Sequence, residues 1–498
     1  MFSALRVLLG DAGTSAGGAA ASYSYALFTW GDGTNGALGH GDTNDHSVPM
    51  QVGVQTDWTV VSLNSSNNAA AVKSNGTLWT WGFQGDSGQL GHGDAVNKSS
   101  PVQVGDLSDW STVAMGSLSG GAAAIKTDGT LWTWGDGANG VTGHGNTTKY
   151  SSPVKVGSLT DWSTISAGWK SMLATKTDGT IWGWGLNQNG VLGDGTTVTR
   201  SSPVQVGSLT TWSKVSTSST NSAAVKTDGT LWSWGDNQFG MLGQGNTTYL
   251  SSPVQVGSLT TWTSVGVGTN ILFSVKTDGT IWGCGFNGVG ELGLNDTANR
   301  SSPVQVGSLT DWSSFPTSRG YGGDATKIIK TDKSLWAWGN QATGSLGINS
   351  NIDVSSPTQV GGATDWQFVD GQMIGTSGGI RKINNAGGYA LWTWGRNNYG
   401  QLGQNNTTNT SSPIQLGTLN DWSHIAVGSP PNVAAIKTDG TLWTWGNNTY
   451  GQLGQNDTVH RSSPAQIGNL SDWSSADGGN HFLLIKTDGT LWAMGRNN

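Results

Sequence analysis

The sequence predicts an all-β fold, a single β-propeller of four-stranded blades, and three observations carry that prediction. The string L/I-W-x-W-G recurs along nearly the whole chain. Its first aromatic stands at Phe28, Trp79, Trp132, Trp182, Trp232, Trp282, Trp336, Trp392, Trp443 and Trp492, at spacings of 49 to 56 residues. Each repeat also holds four short β-type runs, and 26 of the 27 tryptophans fall in three fixed slots, with Trp169 outside them. A period of this length marks one supersecondary unit. Four-stranded units too small to bury their own faces are stable when stacked on one another, as blades are.

The unit that opens at Trp212 shows the elements in order. WSKV, SAAVK, TLWSW and SPVQV are alternating, β-branched or aromatic runs with no helical period, and are named strands A to D. Strands B and C are joined by KTDGT, in which Asp128-Gly129, Asp178-Gly179, Asp228-Gly229, Asp278-Gly279, Asp439-Gly440 and Asp488-Gly489 predict two-residue type I′ hairpins. Nine of the twelve prolines open strand D, from Pro49 to Pro464. That places D on the outer edge, where a missing N–H is tolerated. The lysine that ends strand B (Lys73, Lys126, Lys176, Lys226, Lys276, Lys330, Lys437, Lys486) reads as a solvated or snorkelling residue at the hairpin mouth.

Ten C strands predict ten blades in one domain, with nine as the alternative. Residues 27–498 are the tandem repeats and residues 1–26 are degenerate strands. Ser3–Val7 (SALRV) alternates like SPVQV, and Ser3–Leu9 is expected to give strand D to the blade at Trp473–Gly495, closing the ring by pairing the two ends. Ala19–Ser22 stands where a strand B would precede LFTWG.

Composition excludes several classes of function. Charged residues are 11%, against about a quarter in ordinary domains, and the net charge is −7 with no Lys/Arg cluster, which argues against nucleic-acid binding. Gly, Ser, Thr or Asn interrupts every apolar run before the roughly 18 residues of a membrane span, so no membrane insertion is expected. The first ten residues lack the charge and apolar length of a clear signal peptide. A single cysteine, Cys284, excludes an intrachain disulfide and a cysteine-built zinc site.

The run A-A-x-K-T-D-G-T-L-W-x-W-G-x-N-x-x-G-Q-L-G at Ala434–Gly454 resembles the repeat of the regulator of chromosome condensation family, and the resemblance extends over about 19–498. It implies a β-propeller, typically of seven blades in that family, fewer than the units counted here. Eukaryotic members are exchange factors for a small GTPase, and related propellers inhibit secreted enzymes. This chain has neither a basic tail nor a large insertion between units.

In antiparallel units the A–B and C–D loops share one face. Those loops vary (LNSSNN, MGSLSG, AGWKSM, TSRGYGG), whereas the TDGT and GSLTDW turns of the other face barely change. Variable loops on a constant scaffold are a common recognition surface. On that face Trp169, Lys170, Arg319, Tyr321, Tyr249, Tyr150, Arg200, Arg300 and Arg461 are of the types enriched at binding hot spots. Phe239, Tyr399 and Tyr450 share a slot before G-x-L-G and read as packing residues.

His40, His92 and His144 repeat in one slot, too far apart for a shared metal and interchangeable there with Gln244 or Asp194. The loops Gly31–Gly36 and Gly135–Gly140 lack the full acidic pattern of a calcium site. No nucleophile with a base, carboxylate pair or phosphate loop stands out, and Glu291 is the one Glu. No enzyme, metal or cofactor is expected. The expectation is a structural or adhesive propeller of a phage virion or microbial surface, binding a protein or glycan receptor or neighbouring virion proteins. An inhibitor or regulator of another protein is the alternative.

Overall fold

The computed structural model describes residues 23–495, except 54, 65–66, 117–119, 314–324, 341–345, 349, 351, 372–375, 385–390, 396, 417–421, 429–431 and 479–480. All described structure beyond three single-turn 3-10 segments is strand, loop or turn. The chain divides into two compact units, one covering Tyr25–Lys382 and one covering Ile383–Asn498.

The first unit holds seven sheets with neighbour order A-B-C-D. Sheet 1 consists of Trp58–Leu63, Asn68–Lys73, Leu78–Gly82 and Lys98–Gln103. Sheet 2 is Trp110–Met115, Gly121–Lys126, Leu131–Gly135 and Tyr150–Lys155. Sheet 3 is Trp162–Ala167, Ser171–Lys176, Ile181–Gly185 and Arg200–Gln205. Sheet 4 is Trp212–Thr217, Asn221–Lys226, Leu231–Gly235 and Leu250–Gln255, and sheet 5 is Trp262–Val267, Ile271–Lys276, Ile281–Gly285 and Arg300–Gln305. In sheet 6 the strands Ala325–Ile329, Leu335–Gly339 and Val354–Gln359 are joined by a bridge from Trp312 to Lys330 in the place of strand A.

Sheet 7 is assembled from the two ends of the unit. Its A and B strands are Trp366–Gly371 and Thr376–Asn384, and its C and D strands are Tyr23–Gly31 and His46–Gln51. This corrects the expectation from the repeat pattern, which assigns residues 366–384 to the repeat of Trp392 and sets Ala19–Ser22 beside LFTWG. Ala19–Ser22 and the Ser3–Leu9 strand both lie outside the described residues. The reason for the pairing is visible in side chains. Trp366 meets the rings of both Phe28 and Trp30 edge-on at 5.8 Å, as Trp162 meets Trp182 and Trp184 at 6.1 Å inside sheet 3.

The second unit holds sheet 8 (Trp392–Gly395 and Thr410–Gln415) and sheet 9 (Trp422–Gly428, Asn432–Lys437, Leu442–Gly446, Arg461–Gln466). Sheet 10 follows with Trp473–Gly478, His481–Lys486 and Leu491–Gly495.

The core is the layer between successive sheets. Ala70, Val72 and Leu78 of sheet 1, with Val104 beyond its D strand, pack on Trp110, Val113, Met115, Ala122, Ala124 and Trp134 of sheet 2. The same layer recurs between sheets 2 and 3, 3 and 4, 4 and 5, and 5 and 6. Sheet 7 contacts sheet 6, and its Tyr25, Leu27 and adjoining Val52 pack on Trp58, Val61, Leu63 and Trp81 of sheet 1. Burying a ring of this size contributes a few kcal/mol, and truncating one to Ala costs about 3–5 kcal/mol.

The two strand C tryptophan slots each have their own bond, whereas the strand A indole N–H of Trp58, Trp110, Trp162, Trp212, Trp262, Trp312, Trp366 and Trp473 is buried without a hydrogen-bond acceptor. The second Trp of strand C donates its indole N–H to the preceding sheet's C–D loop: Trp81 to Ala37 O (2.9 Å), Trp184 to Val141 O (2.8 Å), Trp338 to Glu291 O (2.9 Å). The second Gly of G-x-L-G lies against that indole, so that a Cβ on Gly193 would stand 2.6 Å from Trp234 Nε1. The first Trp of strand C donates to the hairpin, Trp132 Nε1 to Thr130 Oγ1 at 2.9 Å.

That hairpin is not type I′. Lys126 O accepts from Gly129 N (3.0 Å), Lys126 N donates to Thr130 O (3.0 Å), and the positive φ falls on Gly129 (77°), Asp128 not sharing it. This is a three-residue loop closed by a glycine bulge. The role of Asp128 lies in its side chain, which folds back to accept from Thr130 N and Oγ1 at 2.9 and 2.7 Å.

The strand B lysines are a second correction, because Lys73, Lys126, Lys176, Lys226, Lys330 and Lys486 are buried and Lys276 and Lys437 partly so. Lys126 Nζ stands 5.0 Å from the Trp110 ring and 4.4 Å from the Trp132 ring, and pairs with Asp109 at 3.1 Å. The same triad surrounds Lys73, Lys176, Lys330 and Lys486, each with the Asp that precedes its strand A tryptophan. Two indole faces and a carboxylate replace the water that the ammonium loses.

Candidate functional site

Strand register fixes which loops share an end. In sheet 3, Ala167 pairs with Met172, Ser171 with Gly185, and Gly185 with Arg200. The A–B and C–D loops therefore emerge together, opposite the TDG turns. On this loop end, neighbouring sheets of the first unit are joined directly. Asn64 Nδ2 donates to Gly116 O at 2.7 Å, Thr220 Oγ1 to Thr269 O at 3.1 Å, and Asn189 Nδ2 to Asp236 Oδ2 at 3.2 Å. The Ser62, Ser166 and Ser216 hydroxyls accept the amides of Met115, Thr217 and Val267 of the adjoining sheet at 3.0–3.2 Å.

The C–D loops of sheets 1, 3, 4, 5, 8 and 9 are each held by a buried amide in one slot, where sheets 2 and 7 carry Gly137 and Gly33. Asn187 Oδ1 accepts from Leu192 N at 2.9 Å while its Nδ2 donates to the Thr196 and Val198 carbonyls at 3.1 and 3.2 Å, and Asn237, Asn287, Asn397 and Asn448 do the same work. Gln84 takes that place in sheet 1. A second polar side chain then turns the loop tip outward. Asp94 accepts the amide of Val96, Asn146 that of Thr148, Thr196 that of Val198, and Asn246 that of Thr248, at 2.9–3.2 Å. Val96 and Val198 are thereby presented to solvent, 58% and 55% exposed. Sequence reasoning missed these tips, although the D/N/T-x-V/T spacing before strand D was the available signal. It also missed the leucine of each GSL turn, where Leu107, Leu159, Leu209, Leu259 and Leu309 are exposed on the opposite end.

The aromatic and basic candidates divide into four groups. Tyr249 is 47% exposed, and the Asp236 carboxylate beside it raises its pKa, by charge first and then by burial and a hydrogen bond. Trp169 and Lys170 are half-buried at the A–B turn of sheet 3, with the ammonium 5.3 Å from the indole centroid. Arg319 and Tyr321 lie outside the described residues.

The remaining candidates brace their own loops. Tyr150 packs its ring on His144 (4.7 Å) and accepts from Asn146 Nδ2. Arg200 pairs with Asp194 at 2.6 Å, Arg300 with Asp296 at 2.6 Å and, in the second unit, Arg461 with Asp457 at 2.5 Å. Burial alone would raise the Asp194 pKa, but hydrogen bonds from Thr196 and Arg200 outweigh it and hold the carboxyl below its ordinary value. Of the slot read as packing, Phe239 meets Phe286 at a tilt at 5.0 Å and Tyr399 meets His460 edge-on at 5.1 Å, while Tyr450 is exposed.

The repeated histidines act as loop fasteners. The Thr29 hydroxyl donates to Leu38 O at 2.6 Å, so His40 Nε2, 3.0 Å away, is the donor to Thr29, and His92 and His144 repeat this on Thr80 and Thr133. Gln244 Nε2 serves Ser233 likewise at 3.3 Å. Burial, reinforced by His46, pushes the His40 pKa down to about 4, and burial also lowers His92 and His144. Among the described residues no three His, Cys, Asp or Glu gather as a metal site. In the Asp-rich loops the Asp32 and Asp136 carboxylates accept the Thr34 and Ala138 amides. Cys284 is fully buried in place of a second Trp, its thiol pushed up to about 12 by burial. No described helix is long and apolar enough to cross a membrane.

Comparison with known proteins agrees with this architecture. The model of the regulator of chromosome condensation (RCC1) repeat matches residues 26–69, 75–119, 128–175, 178–225, 228–275, 278–317, 390–434 and 439–485. The E3 ubiquitin-protein ligase HERC2 of Homo sapiens is 36% identical over 122 residues, 24% of this chain and 2% of that one. The ultraviolet-B receptor UVR8 of Arabidopsis thaliana is 30% identical over 146 residues, 28% of this chain and 33% of the receptor. The chain thus spans a third or less of the length of these relatives. Among solved structures, Prp20p of Saccharomyces cerevisiae, a protein with binding properties to Gsp1p and histones, has a TM-score of 0.61 at 17% identity, covering 73% of this chain and 92% of that one. Human WBSCR16 has a TM-score of 0.63 at 18% identity, covering 72% and 99%. With repeat matches over more than half of its residues and four-stranded sheets in the same order, the chain belongs to the regulator of chromosome condensation repeat family.

Proposed function

We propose that the first unit is a self-closed seven-bladed propeller and that the protein is a non-catalytic binding module, which takes a protein partner on the loop end of sheets 1 to 5. The closure reading rests on sheet 7, built from strands of both ends of the unit, and on whole known propellers covering a share of this chain close to that of the unit. The binding reading rests on one observation. C–D loops of differing sequence in sheets 1, 3 and 4 are locked in place by the same kind of buried amide and hold Val96, Val198 and Tyr249 outward, with the half-buried Trp169–Lys170 pair on an A–B turn of the same end. Exposed aliphatic and tyrosine side chains on a rigid frame suit a protein surface better than a charged polymer. The similarity to Prp20p points the same way, since Gsp1p and histones are proteins.

A triple variant, Val96→Asp with Val198→Asp and Tyr249→Ala, tests this. Cross-linking captures from cells should recover a protein with the wild-type chain and lose it with the variant at unchanged melting temperature. Equal recovery by both would overturn the site. A narrower role, adhesion to a cell or virion surface through a protein or glycan receptor, predicts retention on intact cells, whereas a regulator or inhibitor binds only in lysate or to a purified enzyme.

A further inference from the structure

We infer that Asn75 is a self-modification site: its side-chain amide is hydrolysed after attack by the Gly76 nitrogen, and the hairpin of sheet 1 matures to carry an aspartate. The chain has five Asn-Gly pairs, at Asn35, Asn75, Asn139, Asn189 and Asn287, all among the described residues. This pair is open to the reaction because glycine has no side chain to hinder its nitrogen from reaching the neighbouring Cγ. Four of the five are protected. Asn287 is fully buried, its Oδ1 accepting from Leu292 N at 2.8 Å and its Nδ2 donating to Asp296 O at 2.9 Å. Asn35, Asn139 and Asn189 are half-buried inside 3-10 turns at φ 58–60°. The glycine after each is seated on strand D of the adjoining sheet, where a Cβ would stand 2.3–2.5 Å from the Cα of Ser99, Ser201 or Ser251. Of the five asparagines Asn75 alone is exposed, in the turn between the B and C strands and at the end opposite the loop tips.

The turn supplies the chemistry at the carbonyl. Asn75 Oδ1 accepts from Thr77 N at 3.1 Å and from Thr77 Oγ1 at 2.7 Å. Two donors on that oxygen draw charge from Cγ and stabilise the oxyanion that forms as nitrogen attacks. The Gly76 N–H donates to Lys73 O at 2.9 Å, so the attack proceeds when this exposed turn opens locally. The Gly76 nitrogen then gives its proton to hydroxide and bonds to Cγ, Nδ2 leaves as ammonia with a proton from water, and a second water opens the succinimide ring. Addition at Cγ breaks the new Cγ–N bond and gives aspartate. Addition at the main-chain carbonyl breaks the original peptide bond instead and gives isoaspartate, with one more atom in the main chain. The folded hairpin selects the first product. Asp128, Asp178, Asp228, Asp278, Asp439 and Asp488 occupy this slot in six other hairpins and accept the same two bonds, at 2.9–3.0 Å from Thr N and 2.6–2.7 Å from Thr Oγ1. A carboxylate accepts them more strongly than an amide does. Isoaspartate would lengthen a turn closed by the bond from Lys73 N to Thr77 O (3.0 Å), and would shift Gly76, whose carbonyl accepts from Trp110 N at 2.9 Å.

Incubation of the full chain in mildly alkaline buffer, followed by peptide mapping with electron-transfer mass spectrometry, tests this. In the folded chain Asn75 should convert at least about tenfold faster than any of the other four, with aspartate as the main product. The same chain held in denaturant should convert all five at similar rates and yield mostly isoaspartate. Conversion of Asn75 in the folded chain no faster than that of the others, or isoaspartate as its main product there, would overturn the inference. Asn75→Asp makes the product directly and should unfold at a higher denaturant concentration than freshly prepared wild type. A lower midpoint would also overturn it, because the hairpin would then not favour the carboxylate.

Discussion

The Arg381 guanidinium lies 4.9 Å from the centroid of the Phe28 ring while it forms two hydrogen bonds to Asp365, at 2.6 and 2.8 Å. Elsewhere a lysine fills this place between two tryptophans. Phe28 is the one non-tryptophan among the ten leading aromatics of strand C, and it meets an arginine, whose planar fork suits a bidentate carboxylate and stacking on a ring. If these residues join the ends of the first unit, Phe28→Ala and Arg381→Ala should be coupled in a double-mutant cycle by about 1 kcal/mol. Additive effects in chemical denaturation would mean that the strands are not paired in solution.

Lys276, like Lys226, lacks the carboxylate that Lys73, Lys126, Lys176, Lys330 and Lys486 have, because Thr261 and Thr211 stand where Asp57, Asp109, Asp161, Asp311 and Asp472 pair with their lysines at 3.1–3.4 Å. Its ammonium sits 3.6 Å from the Trp282 centroid, and burial lowers its pKa. Thr261→Asp should stabilise the protein by about 0.5–1 kcal/mol, less in high salt. Melting curves at low and high ionic strength check both parts.

In the hairpin of sheet 6 a lysine occupies the glycine position, Lys333 at φ 68°. A side chain there is strained, and in the hairpins of sheets 1 to 5 and 9 it would meet a carbonyl, 2.1 Å from Thr160 O at Gly129. Lys333→Gly should raise stability by about 1 kcal/mol despite the greater freedom that glycine gives the unfolded chain. A lower denaturation midpoint would show that the turn does not resist the side chain.

His40 gives the fold a pH dependence of defined sign. Its folded pKa is about 4 and its unfolded value 6.5, so between those limits the unfolded chain takes up a proton that the folded chain refuses. Stability is full above pH 6.5 and falls as pH drops towards 4, by up to about 1.4 kcal/mol per pH unit from this group. His40→Gln keeps a donor to Thr29, as Gln244 does for Ser233, and should flatten the slope between pH 6.5 and 4 relative to wild type.

Strands A to D, the outer D edge and the loop end are legible in the sequence because periodicity and turn residues report on local geometry. The sheet 7 exchange is not, since residues 366–384 match two C strands, LFTWG and LWTWG, almost equally. Only the unusual Arg381 and Phe28 hint at the choice. The lysines read as solvated because burial between rings from different strands leaves no local mark. Arg200, Arg300 and Arg461 read as free for a ligand because their Asp partners, four to six residues earlier, look like ordinary loop residues.

Sheet 7 also sets a timetable for biosynthesis. Its Tyr23–Gly31 and His46–Gln51 strands leave the ribosome early, but their mates at Trp366–Gly371 and Thr376–Asn384 emerge only after the next six sheets. At about 5–20 residues per second that wait is on the order of half a minute. For that time an aromatic-rich hairpin is a target for chaperones, and for the matching hairpin of another nascent chain on the same message.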